Sequence, residues 1–241
     1  MTDLCEITNQ DRVIITLDQE KVYNKIRHDY LWRVLEQMNI PHNLVNTIKS
    51  LYSQAKTTVI LNSKMSRKFQ VTRGVHQGDP LSCLLFNLAI KPMSHILRTT
   101  DKLLGLNIDT PDNHQRAILA LFANDTTVFL SKNDSPKTLF KILDKWCSAS
   151  GAKFNKDKMV IIPVSSENYR KEVNTHQTIN SQNPFTFPDS IHILKDGETT
   201  RCLGAQVGNN PTGNEPWPRI IDDIETNLQQ WSKAYPSIDG H

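Results

Sequence analysis

The chain has 241 residues, of which 38% are hydrophobic and 22% charged, a composition that excludes an intrinsically disordered protein. No apolar run reaches the ~18 residues of a membrane span, the first residues do not form a signal peptide, and the four scattered cysteines contain no CxxC pair. We therefore expect no membrane partner, no disulfide framework and no zinc site, in a reducing intracellular compartment. The net charge is only +3, but ten lysines and arginines stand against two acidic residues between Lys21 and Arg73. Such an excess is typical either of a surface that binds a polyanion, most often nucleic acid, or of an ordinary solvated surface.

The first half of the chain predicts one strand, three helices and a hairpin. In order, they are a buried strand at 12–17 that ends at Asp18, helices at 28–38 and 41–54, a hairpin at 57–72 with its turn at 62–64, and a helix that runs from Asp79-Pro80 towards Leu97. The strand is rich in β-branched residues. Both later helices carry a proline in the first turn, where its missing N–H is not needed, and Asp79 is a suitable N-cap.

The second half continues with a hairpin and further helices. The predicted elements are a hairpin at 121–130, a helix from Ser135-Pro136 to a C-cap at Gly151, a strand at 160–162, a polar loop at about 174–189, a strand at 201–207 and a helix at about 217–234. Together with the first half, this order predicts an α+β fold, in which an antiparallel sheet is covered on one side by helices.

Two aspartates are placed where they can hold metal for phosphoryl transfer. That chemistry needs carboxylates from separate strands around cations ~3.5–4 Å apart. Asp18 ends the first strand and Asp125 lies in the turn of the 121–130 hairpin, although each taken alone is more typical of a loop cap or an ordinary turn residue. The residue before Asp125 is Asn124, whose amide cannot carry the negative charge that a hard cation demands.

Five segments in order resemble the reverse transcriptase domain of non-LTR (LINE-type) retrotransposons. They are residues 17–24 (LDQEKVYN), 73–82 (RGVHQGDPLS), 122–125 (FAND), 150–158 (SGAKFNKDK) and 202–204 (CLG). The third is similar to the family's usual Phe/Tyr-Ala-Asp-Asp. The resemblance covers nearly the whole chain and identifies it as a member of this family with one carboxylate replaced.

The resemblance implies an RNA-directed DNA polymerase that transfers a nucleotide from a dNTP to a primer 3′-hydroxyl. Its implied fold is a reverse-transcriptase palm over residues 1–210, with a partial fingers hairpin at about 56–72, then a connection and the start of a thumb helix over 211–241. The implied cofactor is Mg²⁺, with two ions in the family. The implied partners are an RNA template, a DNA primer and dNTP, in the nucleus.

The same resemblance implies catalytic roles. Asp18 and Asp125 would ligate Mg²⁺, and Asn124 occupies the position of the third carboxylate. Lys158 would donate a proton to the pyrophosphate leaving group, although a solvated surface lysine is the alternative. The metals would neutralise charge on the transferring phosphoryl group. Weaker metal binding, caused by the amide of Asn124, would therefore slow nucleotidyl transfer.

Substrate-binding roles follow for six further residues. Tyr23 is implied to be a steric gate that excludes a 2′-hydroxyl, with a core aromatic as the alternative. The others lie in two loops and are Arg73, Gln77, Gly78, Leu203 and Gly204. The loop at 73–78 would line the incoming nucleotide and the template base, or would simply open a helix without a ligand. The loop at 203–204 would support the primer terminus.

Two departures predict that this copy is inactive or severely impaired. A barrier raised by only ~4 kcal/mol through loss of the third carboxylate slows the reaction about a thousandfold. We also expect weak binding of template and triphosphate, because the chain begins just before the first catalytic strand and ends near the start of the thumb. The alternatives are a non-catalytic nucleic-acid-binding remnant, an active polymerase in which Asn124 coordinates through its carbonyl oxygen, and an open reading frame that does not fold stably.

Overall fold

The computed structural model describes residues 10–75, 78–110, 113–123, 125–180, 185–202, 205–210 and 221–229. The helices are α1 (Val22–Lys25), α2 (His28–Gln37), α3 (His42–Ser53), α4 (Pro80–Thr99), α5 (Pro136–Ser150), α6 (Glu167–His176) and α7 (221–229). The predicted helices at 28–38, 41–54, 79–97 and 136–151 are confirmed. The described part of the predicted last helix, 221–229, is helical as well.

Thirteen short or medium strands lie in the described part of the chain. They are β1 (Arg12–Gln19), β2 (Lys56–Thr57), β3 (Ile60–Leu61), β4 (Lys64–Met65), β5 (Phe69–Gln70), β6 (Leu106–Thr110), β7 (Asn113–Ala117), β8 (Leu119–Phe122), β9 (Asp125–Ser131), β10 (Phe154–Val164), β11 (His192–Ile193), β12 (Thr200–Cys202) and β13 (Ala205–Val207). The predicted hairpin at 57–72 is formed by β2 with β5 and by β3 with β4.

The central sheet has five strands in the order β11-β10-β1-β9-β8. Four of them pair antiparallel, as predicted, and together with the covering helices they confirm the α+β fold. The edge strand β11 pairs parallel to β10, so the sheet is mixed rather than wholly antiparallel. The chain between these two strands contains α6, and a crossover of this kind is what a parallel pair requires.

Strand β1 lies in the middle of the sheet and separates two apolar layers. Val13, Ile15 and Leu17 are buried in the larger hydrophobic cluster, beneath the helices. Ile14 is buried in a smaller cluster on the opposite face. Since alternate residues of a strand point to opposite faces, Asp18 shares the face of Ile14 and points away from the helices.

The long helix α4 forms the centre of the helical layer. It packs against α2, α5 and β8, with eight of its residues buried. By length and composition alone it could cross a membrane, and 44% of its most apolar stretch is buried inside the fold. Its start is as predicted, because the Asp79 carboxylate accepts a hydrogen bond from Leu81 N at 2.9 Å and Pro80 opens the first turn.

Pro92 lies inside α4, near the point where α2 and α5 pack against it. Proline has no N–H to donate to the carbonyl one turn earlier, which disturbs the hydrogen bonds of the helix locally. The nearby carbonyl of Ala89 accepts hydrogen bonds from Tyr30 Oη at 2.8 Å and Trp146 Nε1 at 3.2 Å. Two side chains from other helices therefore hold α4 at its weakest turn.

Four parts of the fold differ from the sequence-based expectation. The antiparallel pair β6–β7 was not predicted, since its residues are mostly polar and show no apolar alternation. The predicted strand at 160–162 is the centre of the 11-residue β10. The segment from 167 to 176 is helical, with Ser166 as N-cap, so the predicted loop at 174–189 begins inside α6. The predicted strand at 201–207 consists of two strands, β12 and β13, that pair with each other.

Asp134 fixes the loop after β9. Its side chain is fully buried, and its carboxylate accepts three backbone hydrogen bonds, from Leu104 N (2.5 Å), Gly105 N (2.8 Å) and Ser131 N (2.8 Å). We expect Asp134→Ala to lower the free energy of unfolding by about 3–5 kcal/mol, because each buried donor left without a partner costs ~1–3 kcal/mol. Urea denaturation measures this change. Asn133→Ala, at the exposed neighbouring position, should change stability by less than ~0.5 kcal/mol. Equal effects of the two substitutions would contradict the assignment.

Candidate functional site

Asp18 and Asp125 lie directly opposite each other on neighbouring antiparallel strands. The register of β1 and β9 pairs these two residues as the last pair of the ladder. Side chains that face each other across such a pair have Cβ atoms ~4.5–5.5 Å apart, on one face of the sheet. Two carboxylates 107 positions apart in sequence are therefore brought to the same end of the sheet.

An open cleft of about 550 Å³ contains both carboxylates. Its lining comes from β1, β9, β10 and β12, and consists of Thr16, Leu17, Asp18, Asp125, Thr126, Thr127, Lys158, Thr200, Arg201 and Cys202. Thr127 Oγ1 lies 3.4 Å from Cys202 Sγ, a contact that holds the β12 strand across the sheet. The cleft is thus lined by two carboxylates, the hydroxyl groups of four threonines, and the cationic residues Lys158 and Arg201.

An irregularity in β10 directs Lys158 into this cleft. Thr16 on β1 pairs with Val160, whereas Asp18 pairs with Asn155, so three extra residues of β10 bulge between the two pairs. Bulges are frequent beside active sites because they re-aim a side chain. Here Lys158 Nζ lies 3.5 Å from Asp18 Oδ2, and the lysine side chain remains 66% exposed.

The turn between β8 and β9 is tight. Phe122 pairs with Asp125, so only Ala123 and Asn124 separate the two strands. Ala123 has a φ of 52°, a left-handed conformation that an L-residue with a Cβ adopts at a cost of ~1–2 kcal/mol. Backbone strain of this kind is concentrated at functional sites. Asn124 itself lies outside the described residues.

The described residues offer a metal ion two carboxylates at this point. No group of three or more His, Cys, Asp or Glu side chains occurs among them. The acid nearest in sequence, Glu20, is paired with Lys25 (2.7 Å) and Lys153 (3.0 Å), and these hydrogen bonds hold the pKa of Glu20 below its ordinary value. Glu20 lines a separate cavity with Lys153. It therefore does not serve as a third carboxylate here.

Tyr23 lies on α1, outside the lining of the carboxylate cleft. Its ring packs against Phe86, with centroids 5.2 Å apart, and its hydroxyl lies 3.9 Å from Cys83 Sγ. Burial raises the pKa of Tyr23, and the hydrogen bond with Cys83 raises it further. The steric-gate role stays a prediction, since the ring is half-buried and packed against the core.

The loop before α4 is anchored to α1 through Gly74. Gly74 N donates to Ile26 O at 2.7 Å, and Val75 N donates to Tyr23 O at 2.6 Å. Gly78 is exposed at the other end of the loop, with a φ of 90°. Gln77 lies outside the described residues. Arg73 lies at the far side of the loop and lines a different cavity, with α2 and α3.

At the predicted primer-supporting turn, Leu203 and Gly204 lie outside the described residues, while their neighbours Arg201 and Cys202 line the cleft. Sequence reasoning did not single out Arg201 or Thr127 as site residues. Arg201 could have been noticed as the cation next to the matched turn. Thr127 carries no such signal, because only its register, two pairs further along β9 from Asp125 and so on the same face, places it there.

Comparisons with known proteins agree on one family. The family model described as "Reverse transcriptase (RNA-dependent DNA polymerase)" matches residues 2–196. A Pol polyprotein of the type-2 retrotransposable element R2DM from Drosophila melanogaster is 27% identical over 222 residues, which are 92% of this chain and 20% of that protein. The Transposon TX1 uncharacterized 149 kDa protein from Xenopus laevis is 30% identical over 151 residues, 63% of this chain and 11% of that protein.

The chain thus spans a fifth or less of the length of these two relatives. Among solved structures, a telomerase from Candida albicans, in complex with the TWJ fragment of telomeric RNA, aligns with a TM-score of 0.49 at 16% sequence identity. That alignment covers 87% of this chain and 31% of the telomerase chain.

Proposed function

Because this chain belongs to the reverse transcriptase family, as a domain of the kind found in non-LTR retrotransposons, we propose that its carboxylate cleft is the polymerase site in a catalytically disabled form. The observation that carries this proposal is the register that pairs Asp18 with Asp125 at one end of the sheet. The cleft around them is open and has a volume of about 550 Å³. The hairpin at 56–70 would belong to the fingers, and the helix at 221–229 to the start of the thumb.

The donor set at the cleft fits a single hydrated Mg²⁺. This ion commonly binds through one or two protein carboxylates and completes its octahedral shell with water and substrate phosphates. Asp18 and Asp125 supply those two carboxylates. When bound, the ion would neutralise charge on the transferring phosphoryl group. A second ion would lack a third anionic ligand, since Asn124 stands where the family has aspartate.

The chain's own residues can still position substrates. Asp18 and Asp125 line the cleft as anionic ligands, and Arg201, which lines the same cleft, offers a cation to a phosphate. Lys158 lies beside Asp18, where its ammonium group can donate a proton to an oxygen of the pyrophosphate leaving group. The chain can therefore still bind and orient its substrates, while the electrostatic stabilisation of the transition state is reduced.

We expect no measurable templated primer extension by the purified chain with an RNA template, a DNA primer, dNTPs and Mg²⁺. The physical reason is the missing anionic ligand, worth about a thousandfold in rate if the barrier rises by ~4 kcal/mol. Denaturing gel electrophoresis of a labelled primer measures the product. Robust extension with Mg²⁺ would show that Asn124 is tolerated. Extension with Mn²⁺ alone would indicate that the Asn124 carbonyl oxygen coordinates a more permissive ion.

Lys158 should compete with metal for Asp18. We expect Lys158→Gln to tighten divalent-ion binding about two- to fivefold, because an exposed ion pair contributes up to ~1 kcal/mol that the metal must otherwise displace. Calorimetric titration with Mg²⁺ measures the change. Lys156→Gln is the matched control, since Lys156 is an exposed lysine of the same strand that does not line the cleft. Unchanged affinity in Lys158→Gln would contradict the proposed competition.

A non-catalytic nucleic-acid-binding role is the second candidate. It is favoured by five cations that form no ion pair with any described residue, namely Lys56, Lys64, Arg67, Lys68 and Arg73. Neutralisation of phosphates by such residues releases counterions, so the logarithm of the affinity for an RNA–DNA hybrid should fall linearly with the logarithm of salt concentration. Binding with this dependence, in a chain that does not extend primers, would support the second role.

A further inference from the structure

A second cavity, of about 690 Å³, lies between α2, α3 and the loop that follows β5. It shares no lining residue with the carboxylate cleft. Arg73, which the sequence associates with the nucleotide loop, lines this cavity together with Gln70. The cavity therefore collects part of the basic segment between Lys21 and Arg73 that the polymerase site leaves unused.

Three aromatic rings form one wall of the cavity. His28 and Trp32 are four residues apart on α2 and so lie on the same face of the helix, with ring centroids 5.6 Å apart. Tyr52 on α3 meets both rings edge-on, at 5.2 Å from His28 and 5.9 Å from Trp32. His28 Nε2 lies 2.8 Å from Gly74 O, which fixes the imidazole ring. The three rings therefore hold one another in place, and Trp32 is partly buried, with some of its side chain accessible.

Some cations around this wall form ion pairs with acidic residues, and others form none with the described residues. Arg27 is paired with Asp29, and Lys49 with Glu36, so neither cation is free for a ligand. Arg73 forms no ion pair with a described residue. Lys56 also lacks an ion-pair partner within the described chain, and it lies beside the cavity because it pairs across the hairpin with the lining residue Gln70. Further exposed cations, Lys64, Arg67 and Lys68, continue along the same hairpin.

We propose that this cavity is a second nucleic-acid site, which takes one nucleotide of a single strand with its base against Trp32 and its phosphate at Arg73. Aromatic rings that stack bases beside a track of cations are the recurring means of binding single strands. A duplex keeps its bases stacked inside and cannot present one to the wall. A free nucleotide would leave the hairpin cations without phosphates. The site uses neither metal nor carboxylate, so it stands apart from the proposed polymerase function.

The test is binding of a fluorescently labelled eight-nucleotide single-stranded RNA to the full chain, by fluorescence anisotropy with a chelator present. We expect Arg73→Ala to weaken binding about three- to tenfold and to reduce the slope of log affinity against log salt by about 0.7, the value for one phosphate contact on a single strand. Trp32→Leu should weaken binding about tenfold and leave the slope unchanged, because removal of a stacking ring costs no phosphate contact.

The control is Lys141→Ala, an exposed lysine of α5 that does not line this cavity. It removes the same charge as Arg73→Ala and should change the affinity less than twofold. Since Trp32 also packs against the core, its variant is used only where its thermal transition matches that of the parent chain; the exposed Arg73 decides the test otherwise. Equal effects of Arg73→Ala and Lys141→Ala would overturn the proposal. So would equal affinity for a duplex of the same length, or competition by free ATP at matching concentration. Because a chelator is present, failure of metal binding at Asp18 leaves this result unaffected.

Discussion

Asn124→Asp should tighten the binding of Mg²⁺ to this chain by about 10- to 100-fold. The family resemblance implies that position 124 supplies a third carboxylate to the metal. A unit negative charge at ligand distance from the ion is an interaction of up to ~4 kcal/mol at an effective dielectric constant of ~20, which solvent reduces. A gain of ~1.4–2.8 kcal/mol corresponds to the stated range. Isothermal titration calorimetry, or Mn²⁺ binding followed by electron paramagnetic resonance, measures it.

The control for this substitution is Asn133→Asp. Asn133 is exposed and lies in the turn that follows the same strand, at the opposite end of β9 from Asp125. It changes the net charge of the chain identically, so any general electrostatic effect appears in both variants. If the two variants bind Mg²⁺ equally, the acidic pair does not form the metal site. Primer extension by Asn124→Asp, absent from the parent chain, would locate the defect at this one position.

Gly74→Ala should lower the free energy of unfolding by about 2–5 kcal/mol. A Cβ at this position would lie 2.6 Å from Tyr23 O and 2.7 Å from Asn24 Cα, both backbone atoms that cannot rotate away. Its φ of 80° adds the strain of a left-handed L-residue, ~1–2 kcal/mol, to an overpacking cost of ~1–3 kcal/mol. Thermal denaturation should show a midpoint lowered by roughly 2–4 °C per kcal/mol.

Gly78→Ala separates these two causes. Gly78 has a similar φ, 90°, but a Cβ there would meet nothing within 4 Å. Only the backbone strain remains, so we expect a loss of about 1–2 kcal/mol. Equal destabilisation by the two substitutions would mean that the close approach of the loop to α1 contributes nothing. The larger loss at Gly74 would establish that this loop is positioned by direct backbone contact with α1, the helix that carries Tyr23.

The elements that sequence predicted well are those with a local signal. Asp79-Pro80 begins α4 because a capping carboxylate and a proline need only their nearest neighbours. Gly151 ends α5, at a φ of 79°, for an equally local reason. The helix α3 was placed by Pro41 at its start, which is also a local signal. The pairing of Asp18 with Asp125 could be expected only through the family resemblance, since nothing within either segment specifies a partner.

The structural features that the sequence did not predict depend on contacts between distant segments. The parallel edge strand β11 has two residues, too few for a periodic signal, and its direction is set by the crossover through α6. The bulge that turns Lys158 towards Asp18 arises from how β10 accommodates β1. The substrate-binding role of Arg73 stays a prediction, and its place in the lining of the cavity beside α2 is set by the fold. In each case the deciding interaction lies outside the segment concerned.

Side chains alternate between the two faces of β1, so deletion of one residue should damage this domain more than most single substitutions. Deleting a single residue between Val13 and Leu17 would shift every later side chain of the strand to the other surface, as a period of two dictates. Asp18 would then be driven under the helices, and a core aliphatic residue would face solvent. A single-residue deletion here should therefore remove the core packing of β1 and the pairing of Asp18 with Asp125 at the same time.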